Sequence, residues 1–407
     1  MNVKKLHNKL KLSIERQKSL LHGSIVLNPV ENFPFIEDLS PAASELHGLY
    51  NTDKIRSIDQ RKKTKHQFSG RNRIAYDSHR IYRSWAKALH AEDVSMRLLS
   101  GLHAHIVVFM SITKPGDIVL LLPEIAGGHM STKSILERLG LTVIEMEVNL
   151  EKHCVDVEAT LKKIQRINLE VVFVDRSEGL VYENFSHLLG SIKAIKIFDA
   201  SQYLSHIIAQ DHPNPFDDGF DYIIATVHKN FPGPQKALIA TRVVNNQWKE
   251  VLSGISTYVS NMHSFSTYSS GLTLAREEWI SNYSSNLLQN TIELDKRLKF
   301  NDIPIISRPE KFPNTHHIWI IANSKEQAFK WFRSLELVRI HVNYRKLPYE
   351  LGYGLRLGLT AVTRLGLLPH ECSELAELVS SAIRLSNTLL TRKKVRKFAN
   401  SLWSRNY

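Results

Sequence analysis

Tyr222-Ile223-Ile224-Ala225-Thr226-Val227-His228-Lys229-Asn230-Phe231-Pro232-Gly233-Pro234 decides the fold. An apolar run of strand length, Tyr222–Thr226, delivers His228 and Lys229 and then meets a turn that continues neither helix nor strand. The same rhythm runs upstream. Ser100–Thr113 reads as a helix leading through Lys114-Pro115-Gly116-Asp117 into the apolar run Ile118–Leu122. Gly127–Leu139 is helix-like, Thr142–Val148 a strand, Val155–Arg166 a helix and Glu170–Val174 a strand. A short helix near Asn184–Leu189 precedes the strand Ala194–Phe198, and Ala237–Arg242 closes the series. Short buried strands alternating with helices predict an α/β fold with a mostly parallel sheet covered on both faces.

Beyond this region a long helix, Leu272–Leu298, serves as a hinge. Then come the apolar pieces Ile303–Ile306 and His316–Ile321, a helix near Lys325–Leu335 and a last helix, Cys372–Leu390, which predict a smaller C-terminal α+β domain. The expected division is an N-terminal helical arm over 1–35, a large α/β domain over 36–270, and a hinge helix with the small domain over 271–407. No internal repeat is visible.

The 407 residues include 53 Lys+Arg against 40 Asp+Glu, a formal net charge of +13, and only two cysteines, Cys154 and Cys372. This excludes a disulfide scaffold and the Cys-rich zinc sites; no metal is expected. No apolar run reaches the roughly 18 residues needed to cross a bilayer, so a cytoplasmic protein with no membrane partner is expected. Basic residues collect at the N-terminus (Lys5, Lys9, Lys11), in Lys54–Arg73 (Arg61, Lys62, Lys63, Lys65) and in Arg392–Lys397. No aromatic RNA-binding motif, helix-turn-helix or zinc finger accompanies them, so nucleic acid is not an expected partner. The two termini read as solvated helix ends, with Thr391–Lys397 closing a helix.

In open α/β sheets ligands collect outside the carboxyl ends of the strands. Asp199 follows Ala194–Phe198, His228 and Lys229 follow Tyr222–Thr226, and Gly127-Gly128-His129 follows Ile118–Leu122. Ser100-Gly101 opens a helix whose free N–H groups suit a phosphate. Pyridoxal 5'-phosphate wants this set: a lysine for a Schiff base, a carboxylate on the pyridinium nitrogen, a phosphate cup and a flat group on the ring.

Thr226–Lys236 resembles the cofactor-lysine motif of the serine hydroxymethyltransferase family, and more closely the version found in the related L-threonine transaldolases. Val30-Glu31-Asn32-Phe33, Ser100-Gly101, Lys114–Asp117, Gly127-Gly128-His129 and Gly354-Leu355-Arg356-Leu357-Gly358 resemble further family segments in the same order. The resemblance implies fold type I, aspartate aminotransferase-like, with a homodimer sharing its active sites. It implies Lys229, Asp199, His129 and Glu31 as catalytic residues. The cofactor contacts it implies are Ser100, Gly101, His129, Ser177, Asp199, Gln202, Thr226, His228 and Lys229, with Arg356 taking a substrate carboxylate. Several positions depart from the family pattern. Val30 replaces a serine, Gln202 replaces a histidine, Leu102 replaces a hydroxyl in the cup, and Tyr258–His263 lacks a Gly-Gly-Pro run. Asn51–Arg73, with Asp53, Asp59, Arg61 and His66, stands where relatives keep a catalytic glutamate.

The activity expected from the resemblance is cleavage or formation of the Cα–Cβ bond of a β-hydroxy-α-amino acid by transaldolation, with an amino-acid substrate and an aldehyde acceptor. The alternatives are a folate-dependent hydroxymethyltransferase, a threonine aldolase, or a non-catalytic relative with a basic nucleic-acid-binding face.

Overall fold

The computed structural model describes residues 3–64, 68–308 and 314–406; Lys65 and His66 of the basic stretch lie outside them. The seven strands of the central sheet are β1 (Asp93–Ser95), β2 (Ile118–Leu121), β3 (Thr142–Glu145), β4 (Val171–Asp175), β5 (Ile195–Asp199), β6 (Tyr222–Thr226) and β7 (Ala237–Thr241). Their order is β1-β7-β6-β5-β4-β2-β3. Strands β6, β5, β4, β2 and β3 run parallel, and β7 is antiparallel to both of its neighbours. β4, β6 and β7 are buried at every position, which explains their unbroken apolar runs: both faces need cover. Phe173, Ile197 and Ile224 look into one core, Val174, Phe198 and Ile223 into the other. The sheet is therefore α/β and mostly parallel, as the alternating pattern predicts.

A third core lies around a small antiparallel sheet of β8 (His317–Ile321), β9 (Asn343–Lys346) and β10 (Tyr353–Gly358), with β10 in the middle. Helices Lys325–Leu337, Cys372–Ile383 and Thr388–Trp403 contribute to it. The N-terminal segment joins this part, since Ile25–Val26 pairs in parallel with Ile340–His341. Behind that pair the His22 and Trp403 rings stack 4.2 Å apart.

Five sequence-based boundaries are corrected. The stretch Leu272–Leu298 is two helices, Ser264–Leu274 and Glu277–Phe300. The break falls at Arg276 (φ −87°, ψ 48°), whose guanidinium is drawn to Asp38 (2.9 Å) and Glu37 (3.0 Å). Cys372–Leu390 stops at Ile383, because Leu385 and Asn387 take left-handed backbone and Asn387 caps a new helix by accepting from the Leu390 N–H at 3.2 Å. The basic run Thr391–Lys397 thus lies inside the helix Thr388–Trp403 rather than at its end. Gly127–Leu139 becomes helical only at Thr132, and Thr142–Val148 leaves the sheet after Glu145. Among the described residues no helix is long and apolar enough to cross a membrane.

Candidate active site

Parallel strands in register bring their carboxyl ends to one edge. Asp175 ends β4 directly beside Asp199 at the end of β5, and Thr226 ends β6 two residues beyond Asp199's partner Ile224. The helix Gly101–Ile112 begins at this edge, with Ser100 as its cap; Ser100 Oγ accepts from the His103 N–H at 3.3 Å. Gly101 is needed there, because a Cβ would stand 2.7 Å from Thr226 Cγ2. One enclosed pocket is lined by Gly101, His105, His129, Asp175, Ser177, Asp199, Gln202 and Lys229. Six of the ten residues inferred for catalysis and cofactor contact therefore share a wall: Gly101, His129, Ser177, Asp199, Gln202 and Lys229.

Asp199 is buried, and its Oδ2 accepts a 2.7 Å hydrogen bond from His105 Nε2 while Oδ1 accepts from the Ser201 N–H at 2.8 Å. Burial by itself would raise its pKa; the His105 bond and charge, the Lys229 charge and the Ser201 bond outweigh it and hold the carboxyl below its ordinary range. His105 is pulled the other way. Burial disfavours the imidazolium, yet the Asp199 bond and the Asp175 and Asp199 charges raise its pKa. Asp175 Oδ2 lies 3.9 Å from His105 Nδ1 and accepts from Thr132 Oγ1 at 2.7 Å. The ligand atoms of His105, Asp175 and Asp199 thus fall within 4.8 Å of one another, a spacing these polar contacts explain. Composition alone did not single out His105. Its signal was a polar residue in an apolar helix, one turn after Gly101 and on the same face.

His129 reaches the pocket from a turn built on Gly127 (φ 89°), where an added Cβ would lie 1.9 Å from the Glu178 carbonyl. Its Nδ1 accepts from the Ser131 N–H at 3.3 Å, and burial lowers its pKa, so the ring stays neutral near pH 7. The loop after β6 is tied down by Asn32, whose Nδ2 donates to the Lys229 carbonyl at 2.8 Å. His228 and Glu31 line a neighbouring groove rather than the Lys229 pocket; Glu31 is exposed, and burial pushes His228 down to about 4.

Several buried polar atoms have no partner among the described residues: both amide atoms of Gln202, Thr226 Oγ1, His228 Nδ1 and Arg356 Nε. Leaving such groups unpaired costs about 1–3 kcal/mol each. Gln202 lines the pocket beside Lys229 and Asp199, so its two unpaired amide atoms fit a polar ligand there, and the donor set fits pyridoxal phosphate.

Arg356, on β10, is 4% exposed, with Nη1 3.4 Å from the Ser177 carbonyl and 3.5 Å from Glu178 Oε1. Glu178 is itself buried and also pairs with Arg345. Burial pushes Arg356 down to about 10 against the opposing pull of Glu178. Glu178 and Arg345 were not legible as site residues, because Arg345 comes beside Arg356 only when β9 pairs with β10, and both arginines then reach Glu178, which follows β4.

The sequence profile of the family "Serine hydroxymethyltransferase" matches residues 66–379. The chain is similar to the serine hydroxymethyltransferase of Pyrobaculum islandicum, 24% identical over 395 residues covering 94% of this chain and 88% of the relative. It is similar also to that of Pyrobaculum calidifontis, 26% identical over 329 residues covering 78% and 76%. Among solved structures it is similar to the L-threonine transaldolase of Pseudomonas fluorescens in the internal aldimine state. That match has a TM-score of 0.91 at 17% identity, over 98% of this chain and 92% of that one. Fold, site and profile agree that the chain belongs to the serine hydroxymethyltransferase family, transferases of fold type I that depend on pyridoxal phosphate.

Proposed function

We propose that this protein is an L-threonine transaldolase-type transferase: it cleaves the Cα–Cβ bond of a β-hydroxy-α-amino acid and joins the glycine unit to an acceptor aldehyde. The observation that carries the reading is the shared pocket of Lys229 and Asp199 with Arg356 buried beside Ser177. Bound there, pyridoxal phosphate supplies an electron sink for the amino acid's Cα.

The chain's own residues supply the rest. Lys229 would hold the cofactor through its side-chain amine. Asp199, kept ionised by His105 and the Ser201 N–H, would supply the negative charge that keeps the ring nitrogen of a bound cofactor protonated. Gln202 and Thr226 would offer their unpartnered polar atoms to the cofactor, and Ser100-Gly101 with its helix N-terminus would hold the phosphate. Neutral His129 lays a flat ring against the pocket, and Arg356, oriented by Glu178, pairs with the substrate carboxylate. Of the two residues assigned to proton handling, His129 is at the pocket and Glu31 is not. A homodimer is the proposed assembly, supported by family membership and by the exposed Leu10, Leu12 and Ile14 on the helix Val3–His22.

Transaldolation is favoured over folate-dependent transfer because the stretch 51–64 offers no free buried carboxylate. Asp53 is engaged by Arg97 and Tyr82, and Asp59 is exposed beside Lys62. The test is acetaldehyde release from L-threonine. The expected result is release stimulated by an added aldehyde, unchanged by tetrahydrofolate and absent in Lys229→Ala. Serine turnover that requires tetrahydrofolate would assign the hydroxymethyltransferase reaction instead.

A further inference from the structure

Arg356 shares its counter-ion. Glu178 is 1% exposed, and two guanidiniums meet the same oxygen: Arg345 Nη1 pairs directly with Glu178 Oε1, and Arg356 Nη1 stands 3.5 Å from it. Glu178 Oε2 has no partner among the described residues. The arginines come from neighbouring strands. Where β9 pairs with β10, Arg345 lies opposite Gly354 and Asn343 opposite Arg356, so both arginines sit on one face of the small sheet. Glu178 comes from the loop after β4, and its N–H donates at 3.0 Å to the carbonyl of Gly127, in the turn that presents His129.

The carboxylate is divided unequally. Arg345 holds it directly, whereas 3.5 Å is near enough to orient Arg356 but beyond hydrogen-bond range. Arg356 keeps one further contact, to the Ser177 carbonyl at 3.4 Å, and its Nε has no partner among the described residues. The other ionisable groups nearby leave the balance unchanged. His317, on the same sheet face, is kept neutral by burial, and Glu124 is exposed and screened by solvent. Two cations therefore face one carboxylate, with a positive charge to spare at the more buried arginine.

A substrate carboxylate at Arg356 completes this set as two guanidiniums against two carboxylates. Without Arg345, Glu178 would neutralise Arg356 by itself, and an incoming carboxylate would add an uncompensated negative charge to a buried place. We propose that Arg345 is a positioning residue for the amino-acid carboxylate: it takes up Glu178 and so leaves the Arg356 guanidinium open to substrate. The proposal rests on the assignment of Arg356 to that carboxylate.

The test is calorimetric titration of the protein, loaded with pyridoxal phosphate, with glycine, the unit that Cα–Cβ cleavage of any β-hydroxy-α-amino acid leaves. Arg345→Gln is expected to weaken glycine binding by about tenfold. Its KM for L-threonine should rise in parallel, while kcat changes by less than about threefold. Arg345→Lys, which keeps the charge, should recover most of the affinity. Arg345→Gln/Glu178→Gln should recover it too, because Arg356 is again unopposed; a merely structural bridge gives no recovery when its second half is also removed. Unchanged affinity in Arg345→Gln, or a double variant as weak as the single one, overturns the proposal. Loss of cofactor absorbance in Arg345→Gln before glycine is added overturns it too, since the pair would then support the cofactor rather than the carboxylate. Arg356→Gln tests the underlying assignment. Normal glycine binding by that variant removes the assignment and the proposal together, whereas weak binding there with normal binding by Arg345→Gln removes the proposal alone.

Discussion

At the residue scale the site turns on one hydrogen bond, His105 Nε2 to Asp199 at 2.7 Å. A buried carboxylate that accepts from an imidazole is held ionised, and removing one partner of a buried pair costs about 3–5 kcal/mol. His105→Leu is therefore expected to destabilise the protein by roughly that amount and to raise the Asp199 pKa. The acid limb of its pH–rate profile should shift to higher pH, with partial rescue by His105→Asn; an unmoved limb would make His105 merely structural. The two proton-handling assignments separate by position. His129→Ala is expected to lower kcat by about a hundredfold, as loss of a residue at the reacting groups does. Glu31→Gln, altering an exposed carboxyl outside the pocket, should change kcat by less than about threefold, as surface changes usually do. Equal losses in the two variants would contradict that ranking. Steady-state kinetics decides.

At the scale of elements, what was legible followed from local chemistry. An apolar run of strand length followed by Asp199 or Lys229 has a meaning wherever the sheet is parallel, because those ends share an edge. The helix breaks at Arg276 and Asn387 were not legible, since both depend on contacts made after folding or on a positive φ at a residue that also tolerates helix. Glu178 was hidden for the same reason: β9 and β10 must pair before Arg345 and Arg356 meet it. The Gly127 turn gives a direct test. Gly127→Ala combines a φ of 89° with a clash 1.9 Å from the Glu178 carbonyl, whereas Gly116 has a φ of 95° with nothing within 4 Å of an added Cβ. Gly116→Ala is expected to cost about 1 kcal/mol, and Gly127→Ala about 2 kcal/mol or more together with loss of cofactor affinity. Denaturant melts and cofactor titrations of the two variants check this, and equal costs would contradict the packing described.

At the scale of the whole molecule, buried histidines set the acid limit of stability. His206, His212, His316 and His317 form a buried chain of rings with centroids 4.4 to 5.9 Å apart. Burial lowers the pKa of each, His212 to about 4 and His316 to about 3, while in the unfolded chain they titrate near 6.5. Below pH 6.5 the unfolded chain binds protons that the folded chain refuses. Their stabilising contribution is therefore complete above about pH 6.5 and is lost as pH falls toward the folded values. One such histidine costs about 2 kcal/mol between pH 6.5 and 5. The expected outcome is a Tm that falls steeply over that interval and falls less in His212→Gln; a flat Tm from pH 7 to 5 would contradict it. The net charge of +13 was legible at once, but its meaning was not, because three-dimensional placement separates solvated helix faces from the buried guanidinium of Arg356.

The central claim is carbon–carbon bond exchange at the Lys229 pocket, and isotope transfer tests it most directly. The protein is incubated with L-threonine labelled at Cα and an unlabelled aromatic aldehyde, without folate, and the products are read by mass spectrometry. The account predicts labelled β-hydroxy-α-amino acid built on the added aldehyde, with acetaldehyde released in equal amount. Label that stays in threonine, or moves only when tetrahydrofolate is supplied, would contradict it.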